Sequence, residues 1–170
     1  IGGAIVYALY KPLAENDERK IASLVKVYGT AYKVIGCVIG IIGICLMPFL
    51  NIIITEQPNI SESIYLLYIF NLFNTVITYF YSYRSSLLIA AQQNYIVVAT
   101  NYIVTILQSI LQMVALLATH NYLVYLTIQT IGTLAYNFGV SHIATKRFPC
   151  IMSKDIEPLP VDEKKALFKN

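Results

Sequence analysis

Apolar positions in this chain run in long blocks, and the polar positions among them fall in narrow stripes. Val34 to Thr55 holds 22 residues without a formal charge, between Lys33 and Glu56. Ser63 to Tyr83 holds 21, between Glu62 and Arg84. Ser85 to Thr145 holds 61, interrupted only by the weak bases His120 and His142. A helix rises about 1.5 Å per residue, so roughly 20 apolar residues cross the hydrocarbon core of a bilayer. The blocks therefore predict four transmembrane helices, at about 33–54, 64–83, 98–119 and 122–143.

The connecting stretches predict how the helices are joined. Residues 1–10, IGGAIVYALY, are apolar but too short to span, and read as the end of a preceding membrane helix stopped by Lys11-Pro12. Asn16 is the expected N-cap of the next helix, with Asp17 and Glu18 in its first turn. Ile21, Leu24, Val25, Tyr28 and Tyr32 recur at helical spacing, so residues 1–33 end in an amphipathic entry helix that runs into the first span. Pro48 is expected to kink or end that span. Residues 55–63 form an outer loop whose Asn59-Ile60-Ser61 matches a glycosylation sequon, a pattern short enough to arise by chance. Residues 84–96 read as a polar inner connector, with Leu87–Ala91 as a short interfacial helix. His120-Asn121 is a minimal outer turn. Residues 146–170 read as a linker toward a further bundle, interrupted by Pro158 and Pro160, with DEKKALF starting another amphipathic helix. On this reading the chain is an internal fragment of a longer membrane protein.

Composition agrees with a membrane chain. It is 57% hydrophobic and 12% charged, with mean hydropathy +0.63, where soluble domains carry about 25% charged residues. Threading the four spans up and down divides the Lys and Arg residues 5, 0, 1, 0, 6 among the five connecting regions. This is the positive-inside pattern, and it places residues 11–33, 84–96 and 146–170 in the cytoplasm. Only Glu56 and Glu62 lie outside. A soluble enzyme is excluded, and no compact basic patch points to nucleic acid. Cys37 and Cys45 are eight apart in one helix and cannot bridge. Cys150 is expected in the reducing cytoplasm. The fourteen tyrosines cluster toward the predicted boundaries, as interfacial belts do.

Candidate chemistry is confined to amides and hydroxyls. There is no paired carboxylate in a span, no phosphate loop and no metal-ligand spacing, and no cofactor is expected. The second span carries Asn71, Asn74, Thr75, Thr78 and Ser82 at helical spacing. The third carries Asn101, Thr105, Gln108 and Gln112, with Ser109 alongside. The fourth carries Gln129, Thr130, Thr133, Asn137 and Ser141. An amide facing lipid leaves donors and acceptors unpaired, so each stripe must face protein or water. Interhelical hydrogen bonding in a packed bundle satisfies that demand. So does a hydrated pathway for a neutral, hydroxyl-rich cargo such as sugar. Gly36 and Gly40 form a small-xxx-small pair for close helix approach, either within the chain or in a homodimer. Arg84 and Lys33 lie at the expected inner mouth, where each either snorkels to headgroups or meets an entering phosphate.

Four stretches carry a family resemblance. AIVYALYKPLAENDERKIASLVKVYGTAYKVIG resembles the cytoplasmic loop and third helix of bacterial polysaccharide-repeat flippases (Wzx-type), within the multidrug/oligosaccharidyl-lipid/polysaccharide exporter superfamily. YRSSLLIAAQQNYI resembles that family's inner connector between helices four and five. Ile106 to Gln112 and Tyr125 to Gln129 resemble parts of its fifth and sixth helices. The resemblance implies an all-α, MATE-like polytopic transmembrane bundle, of which this chain supplies about four complete spans plus a partial one. It implies translocation of undecaprenyl-pyrophosphate-linked oligosaccharide repeat units for O-antigen, capsule or related polymers across the bacterial plasma membrane. The implied partners are that lipid-linked oligosaccharide, the lipid bilayer, a polysaccharide polymerase and glycosyltransferases. The family's cationic cavity residues have no match deep in these spans. A multidrug or cation antiporter of the same superfamily, a tetraspan scaffold protein and a membrane glycosyltransferase subunit are the alternative readings.

Overall fold

The computed structural model describes residues 2–50 and 63–152. These form helices α1 (Gly2–Ala14), α2 (Glu18–Leu46), α3 (Ile64–Ala90), α4 (Asn94–Thr119) and α5 (Tyr122–Arg147), with short 3-10 turns at Met47–Phe49 and Pro149–Met152. There is no strand among the described residues. The sequon at Asn59, most of the outer loop, and Pro158, Pro160 and DEKKALF lie outside them.

Local sequence explains most helix ends, with some corrections. α1 does not stop at Lys11-Pro12 but continues to Ala14. Pro12 sits in the last turn, where Glu15 N–H donates to Lys11 O and Asp17 N–H to Pro12 O, both at 3.0 Å. The missing proline N–H therefore costs only one bond. The N-cap of α2 is Asp17 rather than Asn16, its carboxylate accepting from Lys20 N–H at 3.0 Å. Asn16 instead takes the left-handed turn position, φ 52°. The α-helical part of the first span ends at Leu46, and Pro48 falls in the 3-10 turn that follows. The second span does not end at Arg84. α3 runs unbroken to Ala90, and the connector shrinks to Ala91–Gln93. Leu87 and Leu88 are fully buried, so this stretch is core and not an interfacial helix. His120, φ 50°, closes α4, and Asn121 caps α5 by accepting from Leu123 N–H at 2.8 Å.

Glycines decide how α2 meets α3. Gly29 lies against the Tyr83 ring, Gly36 against Phe80 and Tyr79, Gly40 against Val76 and Gly43 against Leu72. The order descends along α3 as it ascends along α2, so the helices are antiparallel. Tyr68 Oη donates to Gly43 O at 2.9 Å across the same seam. The small-residue stripe is thus filled within the chain. Gly132 plays the same part between α5 and α4, because an added Cβ there would fall on the Gln108 side-chain amide.

The long helices pack as a row in the order α2, α3, α5, α4. Consecutive α3 and α4 touch little, and α5 inserts between them. At one end, α1 closes over α2 and α3, burying Ile5 and Leu9 against Ile21, Leu24, Val25, Tyr28 and Leu87. Phe148, Cys150 and Ile151 pack on the same cluster. The adjoining cluster joins Leu88 of α3, Val97 of α4, and Val140 and Ala144 of α5. The N-terminal part of α2 and the C-terminal ends of α3 and α5 therefore lie together. Arg19, Lys20, Lys26, Arg84, Lys146 and Arg147 belong to these segments, with Lys11 on α1 beside them and Lys33 at the middle of α2. The opposite ends, from Leu46 to Leu50, at Ile64 and at Thr119–Tyr122, carry no Lys or Arg.

Three segments are long and apolar enough to cross a membrane: Glu18–Phe49, Ile64–Ala90 and Asn94–Thr119. Their apolar surface is mostly uncovered by protein. On α4, Ile103, Leu107, Ile110, Val114 and Leu117 are 55–72% exposed. A continuous apolar helix face of that kind is unfavourable in water and favourable in hydrocarbon. α5 matches these helices in length, with 26 residues, but carries more polar side chains.

Candidate functional site: a polar cleft between two helices

The spacing along each helix sorts its exposed residues onto two sides. α3 is held by α2 on one flank and α5 on the other. At about 100° per residue, Asn71, Thr75, Thr78 and Ser82 share one open side, while Leu66, Ile69 and Phe73 share the other. On α5, Gln129 and Thr133 lie on the first side, and Ile131, Ala135 and Phe138 on the second. The polar sides of both helices open onto one cleft of about 320 Å³, lined by Asn71, Asn74, Thr75, Thr78, Tyr79, Gln129 and Thr133. No residue lining it carries a formal charge.

Hydrogen bonding within the cleft leaves part of its wall unused. Asn71 Nδ2 donates to Leu67 O, and the Thr75, Thr78 and Thr133 hydroxyls donate to carbonyls one turn earlier on their own helices, at 2.9–3.1 Å. Each hydroxyl oxygen keeps acceptor capacity. Asn74 Nδ2 donates across to Thr130 Oγ1 at 3.3 Å, a long bond joining α3 and α5. Asn74 Oδ1 is buried and has no partner among the described residues. A buried amide oxygen without a donor costs about 1–3 kcal/mol. Asn74 Oδ1 is thus a buried, unsatisfied acceptor in the wall of the cleft.

The third stripe divides. Gln112 is buried, and its Nε2 donates to Tyr125 O of α5 at 3.3 Å. Gln108 packs over Gly132. Both expected pathway residues therefore hold α4 to α5 and do not line the cleft. Asn101 and Thr105 are exposed on α4 and also stand outside the cleft, although helix geometry turns them to the same side of the row as Gln129 and Thr133. Asn137 is buried and donates to Thr133 O at 2.8 Å within its own helix, again a packing position.

Arg84 does not stand free at an inner mouth. Its Nε donates to Tyr83 Oη at 3.0 Å and its Nη1 to Ser141 Oγ, tying α3 to α5. Its position on α3 is displaced from the cleft toward the apolar side. Lys33 is exposed on α2 and is not among the cleft-lining residues. Sequence spacing missed Tyr79 as a wall residue. Its ring lies 6.4 Å from that of Tyr32 on α2 and closes one flank of the cleft. The alternation of Tyr79, Tyr81 and Tyr83 at a predicted boundary pointed to a belt instead. Among the described residues, no group of His, Cys, Asp and Glu is arranged to hold a metal ion. Comparison of the chain with protein-family models, curated proteins and solved structures returns no match.

Proposed function

We propose that this chain forms four membrane-crossing helices of a MATE-like flippase. Its cargo is an undecaprenyl-pyrophosphate-linked oligosaccharide repeat unit, moved across the bacterial plasma membrane for surface polysaccharide synthesis. The observation that carries the reading is the uncharged cleft between α3 and α5, lined by amides and hydroxyls on one side of a helical row whose other side is apolar. Sugar hydroxyls both donate and accept, and Asn, Gln and Thr walls answer them without fixing a counter-charge. The cleft alone is too small for a whole repeat unit, so it serves as one sugar subsite along a larger path. Asn101 and Thr105 extend the polar side toward α4.

α5 is the fourth crossing helix in this reading. Its 26 residues suffice for length. Its flanks are covered by α3 and α4, so fewer of its positions meet lipid. The gathering of basic residues at one end supports the cytoplasmic assignment of that end. The bilayer is the immediate partner, with a polymerase and glycosyltransferases acting on the same lipid-linked units.

The test is complementation. The full-length protein is expressed in a strain that lacks its own flippase and makes the matching repeat unit. Restored surface polymer supports the reading. Loss of polymer in Asn74→Leu and Thr133→Val, at unchanged membrane abundance, assigns the cleft to the path. Failure of the wild-type protein with the matching unit, together with efflux of cationic dyes, points instead to an antiporter.

A further inference from the structure

We propose that Arg84 holds the phosphate of an anionic membrane phospholipid at the basic end of the apolar side of the row, remote from the cleft. The proposal rests on the membrane reading above. Arg84 is oriented in place by two donations, from Nε to Tyr83 Oη and from Nη1 to Ser141 Oγ. Its guanidinium carbon also lies 5.6 Å from the Tyr83 ring centroid. A guanidinium has five N–H donors. Two are used, and three remain. No carboxylate pairs with it among the described residues. A half-buried guanidinium at the edge of a hydrocarbon layer needs acceptors for those donors. Two phosphate oxygens accept two parallel N–H groups in the geometry a guanidinium presents, which a lysine ammonium cannot match.

The surroundings select a phospholipid. On α5 the exposed positions run Ile131, Ala135, Phe138, His142 and Lys146 at helical spacing. This face is apolar along the helix and becomes basic beside Ser141, where Arg84 docks. On α3 the exposed apolar positions Leu66, Ile69 and Phe73 lie on the same side of the row, in the half of the helix away from Arg84. An acyl chain has an apolar track along α5, and its headgroup meets cations where that track ends. The pyrophosphate of a cargo in the cleft would reach the polar side of the row, whereas Arg84 is turned from it.

The experiment uses the full-length protein, purified and delipidated in detergent. Phosphatidylglycerol, phosphatidylcholine and a polyprenyl pyrophosphate are titrated separately, and bound lipid is counted by native mass spectrometry. The tightest phosphatidylglycerol site is expected to weaken about tenfold or more in Arg84→Gln, and about threefold in Ser141→Ala, which keeps the charge but frees its orientation. Arg84→Lys is expected to fall between wild type and Arg84→Gln. If Arg84→Gln does not fold, Ser141→Ala and Arg84→Lys carry the test. Unchanged phosphatidylglycerol affinity in the folded variants overturns the proposal. So does an Arg84-dependent site that takes polyprenyl pyrophosphate in preference to phosphatidylglycerol, because Arg84 then serves the cargo. Binding is read without transport, so failure of the flippase reading leaves this result standing.

Discussion

Gly36 is the point of the α2–α3 seam where an added Cβ would meet a Cβ atom of the opposing helix, and substitution there measures how close the helices are. An ideal Cβ at Gly36 would lie 3.1 Å from Phe80 Cε2 and 3.2 Å from Tyr79 Cβ. Carbon atoms pack best at about 3.5–4.0 Å. Phe80 can turn its ring, but Tyr79 Cβ is fixed to the backbone of α3. Accommodation therefore requires the helices to part by about 0.3 Å or more. Gly→Ala by itself favours a helix by about 1 kcal/mol, and overpacking costs about 1–3 kcal/mol. Gly36→Ala should thus lose about 0–2 kcal/mol net, and Gly36→Leu distinctly more. Two controls bracket it. Gly3 has nothing within 4 Å, so Gly3→Ala should gain about the helix-propensity term. Gly40 meets only Val76 Cγ2, at 3.4 Å, so Gly40→Ala should be close to neutral or slightly stabilising. Thermal unfolding of the full-length protein in detergent, with size-exclusion chromatography of each variant, checks the order Gly3→Ala, Gly40→Ala, Gly36→Ala, Gly36→Leu. A Gly36→Leu protein as stable as wild type refutes the packing argument. A Gly36→Leu protein of unchanged stability that converts from dimer to monomer would assign the stripe to self-association instead.

Other predictions separate packing from function. Gln112→Leu removes the bond to Tyr125 O and should cost about 0.6 kcal/mol of stability, the average for interhelical bonds in membranes, and no more than about 1.7 kcal/mol, with little loss of transport per folded molecule. Asn74→Leu should do the reverse: it removes one long bond and one unpaired acceptor together, so stability should stay within about 1 kcal/mol while complementation fails. Cysteines placed at Thr75 and Thr133 should react with a charged, water-soluble thiol reagent in intact membranes, and cysteines at Phe73 and Ile131 should not; equal labelling of all four would refute the two-sided row. Burial, then the charge of Glu18, raises the Cys150 thiol above its ordinary pKa. Less thiolate is present at a given pH, so in a Cys37→Ser/Cys45→Ser background its maleimide labelling at pH 7.5 should be slower than that of an exposed cysteine and should rise as the pH is raised. Glu18→Gln should accelerate it at fixed pH, and a rate insensitive to both changes would contradict the assignment.

Periodicity is local information, and local information was enough for the helices and their sides. Blocks of Ile, Leu and Val placed the long helices, because a helix in hydrocarbon needs both length and apolarity. The stripe Asn71, Asn74, Thr75, Thr78 marked one side of α3 before any neighbour was known. Lys and Arg counts singled out the end where α1, the start of α2 and the end of α5 gather. The helix ends near Pro12 and Arg84 fall later than local sequence predicts, because neither a late proline nor one arginine stops a helix whose next turn, such as Leu87–Ala90, gains burial. Only tertiary packing decided which sides meet. Sequence order made α3 and α4 neighbours, yet α5 lies between them, since Gly132 admits Gln108 and Ser141 receives Arg84. That arrangement consumed Gln108, Gln112 and Asn137 in packing and left Asn71, Asn74, Thr78, Gln129 and Thr133 on an open wall. An amide has the same appetite for partners in either place. Which partner it finds depends on residues tens of positions away, brought within reach by the close approach that small side chains permit.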